Sequence, residues 1–433
     1  MTLPPGPSPS PPSGYGPAPA GQGPAGAGLV QGYAGSGGLQ PFGAPGPQQY
    51  QPPAPQRPSV PARPGVRKVL VWGFVVAMIV VSGLLTVVAI FASTGVTGLV
   101  VGLVLAVLPV FPLVGAFLWL DRFEAEPSSL LVFAFGWGAT VAAFVSIVLN
   151  TSSSAVLQQS GGDATLAVWV VAPLVEESSK GLGVVAVLLL RRREFDGVVD
   201  GIVYAGMVGI GFAFVENILY FGRAFLESGA AGAGVTFVLR GVFSPFAHPL
   251  FTMATGIGIG LAVSRRSPVV KVLAPLCGWV AAVMMHAAWN LGSLTSFQGF
   301  VTAYVFLQVP VFLAAVALAL LARRREGRLI ARHLTVYATT GWLTQSEVRM
   351  LASLPDRRQA RDWASRTMGA GGRRAMRDFQ ELASELAFLR ERMTRGTAPH
   401  DAATTEVALL QTMWQLRRAF LPRRLPTAGA DPV

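Results

Sequence analysis

Residues 166–190 read LAVWVVAPLVEESSKGLGVVAVLLL, an apolar stretch with three charged side chains, Glu176, Glu177 and Lys180, near its centre. It is long enough to cross a bilayer as a helix. A charge in the middle of a spanning helix costs roughly 2.5–3.5 kcal/mol, so such residues usually face a bundle interior and have a function there. Lys180 follows the glutamates by four and three residues, within reach of either carboxylate. The stretch predicts a buried helix with a functional polar centre, or else an ion pair that only locks helix packing.

The whole composition is that of a polytopic membrane protein. Hydrophobic residues make up 52% of the chain and charged residues 13%, with a mean hydropathy of +0.51, which is too apolar for one soluble domain of this length. The single cysteine, Cys277, excludes a cysteine-cluster metal site, so a metal would need His and carboxylate ligands. The net charge of +12 comes from arginines grouped at helix ends and in the tail, a pattern of membrane topology, and we expect no nucleic-acid partner.

Apolar runs of the length that crosses a membrane predict an all-α transmembrane bundle of about eight spans. The runs are residues 69–92, 96–120, 128–149, 166–190, 198–221, 237–263, 269–290 and 300–321. Basic residues gather in alternate connections between these runs. By the positive-inside rule, both termini should be cytoplasmic in a multi-pass membrane protein.

Two segments flank the predicted bundle of residues 67–322. Residues 1–66 are rich in Pro, Gly, Ala and Gln without apolar periodicity, so we expect a disordered cytoplasmic segment. Residues 323–433 are basic and contain Thr344-Gln345-Ser346-Glu347, which reads as a capping box. Apolar residues recur at helical spacing after it, so we expect a small cytoplasmic helical domain. Its arginines would either contact the anionic membrane lipid or form a solvated face.

Further polar residues lie inside separate predicted spans. Glu216 lies in the fifth, His248 in the sixth and His286 in the seventh. A lone buried His is more often a satisfied core residue than a ligand, but one shared function explains this set more simply than several separate ones. We therefore expect these three residues to converge with Glu176 and Glu177 in one polar pocket.

Carboxylates and imidazoles can supply what peptide hydrolysis inside a membrane needs, namely a held, deprotonated water and a donor to the oxyanion. A divalent metal such as zinc binds His nitrogen and carboxylate oxygen and keeps a position open for water, while a neighbouring carboxylate acts as general base. A glutamate in a low-dielectric pocket could instead activate water without a metal, with His or Asn donating to the oxyanion. The residues alone leave both mechanisms open.

Two other functions compete with hydrolysis. In a transporter or channel, the same polar groups would form a proton or ion path. That function predicts signs of inverted repeats between the two halves, which the sequence does not show. The chain could also be a catalytically silent scaffold that recruits partners through its tails. Substitution of Glu177 separates the three, because only the protease would lose substrate cleavage while inserting normally.

Four segments, in order, resemble the motifs of the PrsW family of bacterial intramembrane proteases, which is related to the CAAX-processing endopeptidases. Residues 172–181, APLVEESSKG, look like its EExxK motif, and the acidic residues 121–127 look like its segment before the third span. Residues 209–220, GIGFAFVENILY, are similar to its second signature. The segments that begin at His248 and at His286 resemble the third and fourth, although Ser244 replaces a Phe before His248.

The resemblance covers residues 69–321 and implies a glutamic or metal-dependent peptidase that cuts a membrane-tethered regulator, such as an anti-sigma factor. The expected substrate is a single-span membrane protein, and the expected cofactor is a divalent metal, zinc. The assigned catalytic residues are Glu176, Glu177, His286 and Asn290, and the assigned metal ligands are Glu216, His248 and His286. We expect Lys180 to tune the glutamate pair.

The predicted span directions also give the site a depth. Glu177 and His248 lie about a dozen residues below the outer ends of their spans, roughly 18 Å along a helix. We therefore expect the site in the outer half of the bilayer and the cut near the extracytoplasmic boundary of the substrate's span.

Overall fold

The computed structural model describes residues 66–192 and 195–420. Within these ranges the secondary structure is entirely helical, with no strand, which confirms the predicted all-α class. Residues 1–65, where a disordered segment is expected, lie outside the described ranges.

Twelve α-helices and four short π-helical segments make up the described chain. The α-helices are α1 (Val66–Leu120), α2 (Ser128–Trp137), α3 (Ala143–Gln159), α4 (Ala172–Leu190), α5 (Val198–Phe237), α6 (Ala247–Val263), α7 (Pro268–Thr295), α8 (Phe297–Ala303), α9 (Val309–Thr339), α10 (Gln345–Leu351), α11 (Leu354–Arg395) and α12 (Ala402–Phe420). The π-helical segments are Gly138–Ala142, Ala167–Val171, Val238–Phe243 and Tyr304–Gln308.

Helix α1 folds back on itself at Gly95. This glycine has φ 60° and ψ −174°, a left-handed conformation that residues with a Cβ rarely adopt. Val75 and Phe117 pack against the same apolar cluster, although a straight helix would separate them by about 60 Å. The break lies between the first two predicted apolar runs, so α1 contains both of them.

Helix α5 reverses in the same way at Ser228 and Gly229, where Gly229 has φ 63°. The rings of Phe221 and Phe237 lie 5.8 Å apart across the reversal. In a straight helix they would be about 24 Å apart. The reversal therefore separates the fifth and sixth predicted runs and brings the residues on either side of it together.

Within the described ranges, five helical stretches are long and apolar enough to cross a membrane, so the chain is a multi-pass membrane protein. They are Leu70–Leu120, Ser128–Gln159, Val198–Val263, Pro268–Leu294 and Phe297–Thr339. The first and third contain the reversals at Gly95 and Gly229, and α4 with its three charges is not among the five. The count of eight crossings is higher than this number and stays a prediction. The third predicted run ends at residue 149, whereas α3 continues to Gln159.

Close helix contacts position the site. Gly201 of α5 and Gly256 of α6 face each other so tightly that a Cβ on either would overlap the other's carbonyl oxygen. Such small residues allow helix backbones to approach closely in a membrane. The α5–α6 contact is thus close enough for the polar side chains of the two helices to meet.

The C-terminal helices form a second apolar core. Helix α9 runs through the boundary expected at residues 322 and 323, and α10 to α12 pack around its end. Phe123, in the acidic segment before α2, belongs to this core, and its carbonyl accepts a hydrogen bond from Arg357 of α11. The predicted capping box is present, because the Thr344 side chain accepts from the backbone of Glu347. The acidic segment therefore joins the C-terminal helices to the bundle.

Candidate active site

Three helices bring the predicted polar residues into one buried cluster. Helix α4 supplies Glu176, Glu177 and Lys180, α6 supplies His248 and α7 supplies His286. Glu177 and Lys180 have no exposed surface, and the two imidazole rings lie 5.2 Å apart. Glu216 of α5 joins them through His248. All five residues expected to converge therefore meet in one network.

Glu177 is held at both carboxylate oxygens. Its Oε1 accepts a hydrogen bond from Nζ of Lys180 at 2.6 Å and lies 2.9 Å from Nδ1 of His286. Its Oε2 accepts from the hydroxyl of Thr252 at 3.1 Å. Because a buried carboxylate is tolerated only when it is paired and hydrogen-bonded, these partners fix the orientation of Glu177.

Glu176 keeps one carboxylate oxygen without a hydrogen-bond partner. Its Oε1 accepts from Nδ2 of Asn150 at 3.1 Å, whereas Oε2 is buried and unpaired. The nearest cationic or imidazole groups to Oε2 are Nε2 of His286 at 3.7 Å and Nζ of Lys180 at 3.8 Å. A buried oxygen without a donor is an expected feature of a cation ligand.

A group of possible metal ligands contains this oxygen. The group offers three ligand atoms that all lie within 4.8 Å of one another, one each from Glu176, His248 and His286. Two imidazoles and one carboxylate are a donor set of catalytic zinc sites. The residues present therefore fit a divalent metal through Glu176, and the ligand role assigned to Glu216 stays a prediction.

Glu216 contacts the outer nitrogen of His248. Its Oε2 lies 2.7 Å from Nε2 of His248, and the same oxygen forms an ion pair with Arg240. Nδ1 of His248 faces Nζ of Lys180 at 3.2 Å. An ammonium is only a donor, so this network indicates the neutral tautomer with its proton on Nε2. Glu216 thereby orients the ring and leaves Nδ1 as the nitrogen whose lone pair faces Lys180.

Arg240 is a member of the network that the sequence assignment omits. Its Nε donates to Oδ1 of Asn217 at 2.8 Å, and its guanidinium lies 4.1 Å from the centre of the Tyr220 ring. It therefore anchors Glu216 from the opposite side of the α5 reversal. An arginine inside an apolar run was the signal that could have identified it.

The two asparagines near the site have different contacts. Asn290, assigned to catalysis, donates through Nδ2 to the carbonyl of Val168 at 2.8 Å rather than to a site carboxylate. Asn150 donates to Glu176 instead. Asn150 lies just after the end of the predicted third run, so the sequence did not place it in a helix of the site. In the structure α3 continues past it.

Lys180 lies at the centre of the charged groups. Besides its contacts with Glu177 and His248, its ammonium lies 4.2 Å from the centre of the Phe212 ring. These groups are buried, so electrostatic interactions among them are stronger than at a surface. A divalent metal in this cluster would therefore share the carboxylates with the ammonium of Lys180. Lys180 would also have to release the lone pair of His248 Nδ1 before that nitrogen could bind the metal.

A second group of carboxyls lies at the end of the bundle beneath the C-terminal helices. Burial raises the pKa of Asp121 to about 8 and that of Glu126 to about 11. Burial, together with the nearby charge of Asp200, raises the pKa of Asp196 to about 7. These acids belong to or adjoin the acidic segment 121–127 and lie outside the helices that carry the Glu and His cluster.

Comparison with known proteins agrees with the geometry. A profile described as PrsW family intramembrane metalloprotease matches residues 126–315, which include the whole Glu and His cluster. Protease PrsW of Geobacillus kaustophilus is 32% identical over 166 residues, which are 37% of this chain and 67% of that protein.

Two further relatives give similar values. Protease PrsW of Clostridioides difficile is 31% identical over 155 residues, 35% of this chain and 62% of that protein. Protease PrsW of Oceanobacillus iheyensis is 31% identical over 145 residues, 33% of this chain and 60% of that protein. The chain thus spans 60% to 67% of the length of these relatives. No solved structure matches it. With its motifs, its buried cluster and these matches taken together, the chain belongs to the PrsW family of intramembrane proteases.

Proposed function

We propose that this chain is a peptidase that hydrolyses a peptide bond of a membrane-tethered protein. The observation that carries the proposal is the convergence of two glutamates and two histidines in one buried cluster of a multi-pass membrane protein. Buried charges in apolar helices are expensive, so their grouping favours a catalytic use over separate structural ones. Membership of a protease family supports the same reaction class.

In the form we favour, Glu176, His248 and His286 hold a divalent metal, and zinc suits their donor set. The metal would supply Lewis acidity toward the scissile carbonyl and increase the acidity of a nearby water. Glu216, assigned as a ligand from the sequence, would instead orient His248, because its carboxylate already contacts that ring and Arg240.

Glu177 serves as the general base. A carboxylate offers about four lone-pair positions, and three of those on Glu177 are taken by Lys180, His286 and Thr252. The remaining position on Oε2 can accept a proton from water. The three partners hold that oxygen in a fixed direction, so little reorientation is needed when the proton moves.

Asn290 is proposed to donate to the oxyanion, as the sequence assignment has it. Its amide carries two N–H donors, and the carbonyl of Val168 uses one of them. The other can face a substrate that lies between α7 and the π-helical segment Ala167–Val171. His286, which contacts Glu177 through Nδ1, completes the assigned catalytic set.

One observation favours a variant without a metal. The ammonium of Lys180 already lies against Nδ1 of His248 and both glutamates, where it provides positive charge. In that variant Glu177 activates water and His286 or Asn290 stabilises the oxyanion. The two mechanisms differ in whether added chelator abolishes turnover and whether the purified protein contains stoichiometric metal.

We also propose the domain bounds, the membrane topology and the substrate class that the sequence predicts. The protease bundle comprises residues 67–322 with eight crossings, and residues 323–433 form a basic helical domain. Both termini are cytoplasmic, and the protein lies in the bacterial plasma membrane. The substrate is a single-span protein such as an anti-sigma-factor-like regulator, cut near the outer boundary of its span.

The test compares membranes of cells that express the wild type or Glu177→Gln. Mass spectrometry of new peptide termini should show single-span proteins that are cut only by the wild type, with turnover in the variant lower by about 10²–10⁴. Glu227→Gln, which changes an exposed glutamate near the α5 reversal, is the matched control and should cleave normally. Identical termini in wild-type and Glu177→Gln membranes would show that this chain is not a peptidase of membrane proteins.

A further inference from the structure

A cavity of about 690 Å³ lies between the bundle and the C-terminal helices, away from the Glu and His cluster. Helices α5, α6 and α9 line it on the bundle side, and α11 lines it on the other. We propose that this cavity binds an anionic phospholipid, with the phosphate held by arginines and an acyl chain lying along the apolar wall. The volume is within the range of about 300–1,000 Å³ that is usual for ligand sites.

The apolar wall of the cavity comes from the membrane-spanning helices. Ile257 and Leu261 of α6 and Leu318 and Leu321 of α9 line it. Both helical stretches are among those apolar enough to cross a membrane. An alkyl chain entering from the bilayer would therefore meet a surface that is already apolar.

The polar wall carries an excess of positive charge. Arg265 and Arg266 follow the end of α6, and Arg325 and Arg328 lie one to two turns beyond the apolar part of α9. In the described ranges, none of these four guanidinium groups forms an ion pair. Arginine binds phosphate with two parallel hydrogen bonds, so the four groups provide more donors than one phosphate needs.

Two of the four acids that line the cavity are paired with two further arginines of its lining, Arg392 and Arg395. Asp196 pairs with Arg392 at 3.1 Å, and Glu391 pairs with Arg395. Asp200 accepts hydrogen bonds from two backbone N–H groups. In all, six arginines and four acids line the cavity, which leaves an excess of two positive charges when every group is ionised. An anion therefore completes the charge balance of the cavity.

The order of the two walls identifies the class of anion. Toward the C-terminal end of α6 and just beyond it, apolar Ile257 and Leu261 are followed by Arg265 and Arg266. A phospholipid has the same order, with its alkyl chain in the membrane and its phosphate at the surface. A soluble phosphate compound would use the arginines but would leave the apolar wall in contact with water. A bound lipid would also touch α11 and so join the two halves of the described chain.

The test measures lipid retention by native mass spectrometry of the full-length protein in detergent. Phosphatidylglycerol should bind more tightly than phosphatidylcholine. The double variant Arg265→Gln with Arg328→Gln should weaken phosphatidylglycerol binding by about fivefold per arginine, roughly 25-fold in all. The matched control is Arg366→Gln with Arg374→Gln, two exposed arginines of α11 outside the cavity, and it should bind like the wild type.

A second variant separates lipid from free phosphate. Leu261→Trp narrows the apolar wall, so it should weaken phosphatidylglycerol while leaving the binding of inorganic phosphate or ATP unchanged. Thermal unfolding without lipid shows whether each variant is folded. Equal phosphatidylglycerol binding by the two arginine double variants would overturn the proposal. Displacement of the lipid from wild-type protein by millimolar phosphate or ATP would assign the cavity to a soluble anion instead.

Discussion

Oε2 of Glu216 lies 2.7 Å from Nε2 of His248, so a glutamate of α5 holds the ring of a histidine on α6. The contact gives His248 a defined tautomer and directs Nδ1 toward the centre of the buried cluster. In metal enzymes such outer partners fix the orientation and basicity of the ligand. Glu216 is therefore best placed to act through His248.

Substitution of Glu216 should have a different effect if it orients His248 than if it binds the metal directly. Glu216→Gln should weaken metal binding by about 10–100-fold, since it loses an orienting contact. Glu176→Gln should remove stoichiometric metal altogether, because it loses a ligand. Metal titration of the purified proteins measures both. Complete loss of metal in Glu216→Gln, with metal retained in Glu176→Gln, would restore the ligand set assigned from the sequence.

Replacement of Lys180 should lower the stability of the metal-free protein but increase its affinity for zinc. In Lys180→Met the buried carboxylate of Glu177 loses its closest cation, which should destabilise the metal-free protein by about 3–5 kcal/mol. The same change frees Nδ1 of His248, so zinc should bind more tightly and restore part of the lost stability. Thermal unfolding with and without zinc measures both effects. Lys271→Met, at an exposed lysine, is the control and should change neither.

The two asparagines should respond differently to truncation. Asn150→Ala removes the donor to Oε1 of Glu176 and should lower turnover by about tenfold, or about 1.4 kcal/mol, by loosening that carboxylate. Asn290→Ala should lower turnover by about 10²–10³ if its free N–H stabilises the oxyanion. Single-turnover cleavage of an identified substrate is the measurement. A purely structural Asn290 would give a lower unfolding temperature with normal turnover of the folded protein.

The buried acids beneath the C-terminal helices predict a stability that falls with rising pH. Asp121 has its pKa raised from 3.8 to about 8, so between these values the folded state binds more protons than the unfolded state. Its contribution is therefore fully present at low pH and is lost as pH rises toward about 8. The slope should be at most about 1.4 kcal/mol per pH unit for this group.

Thermal unfolding between pH 5 and pH 9, followed for wild type and Asp121→Asn, tests this dependence. The variant should show a shallower decline, since its amide does not titrate. Asp163→Asn is the control, because Asp163 is exposed and lies in the turn before the π-helical segment Ala167–Val171. An equally steep decline in Asp121→Asn would mean that other groups cause it.

The contact between α5 and α6 should tolerate no added methyl group. Gly256→Ala would place a Cβ against the carbonyl oxygen of Gly201 and should destabilise the protein by about 1–3 kcal/mol. It should also reduce cleavage, because α6 carries His248. Gly234→Ala has open space around the new Cβ and provides the control. Equal stability of the two variants would contradict the close packing of these helices.

The amino-acid pattern was sufficient to predict the membrane class, the all-helical fold and most members of the cluster. Charge inside a bilayer is so costly that Glu176, Glu177 and Lys180 stand out in an apolar run without any knowledge of their neighbours. The same argument applies to Glu216, His248 and His286, and the order of the motifs identified the family. The gap between the runs 69–92 and 96–120 also predicted the position of the break at Gly95.

Contacts between helices required the tertiary structure. Asn150 and Arg240 reach the cluster only because α3 extends further than its apolar run and α5 reverses at Gly229. The grouping of Glu176 with the two histidines, and of Glu216 with Arg240, depends on helix rotation and crossing. Helical periodicity specifies which residues share a face of one helix, but it contains no information about which face of another helix lies opposite. That information comes from the packing of small residues such as Gly201 and Gly256, which sets how the helices meet.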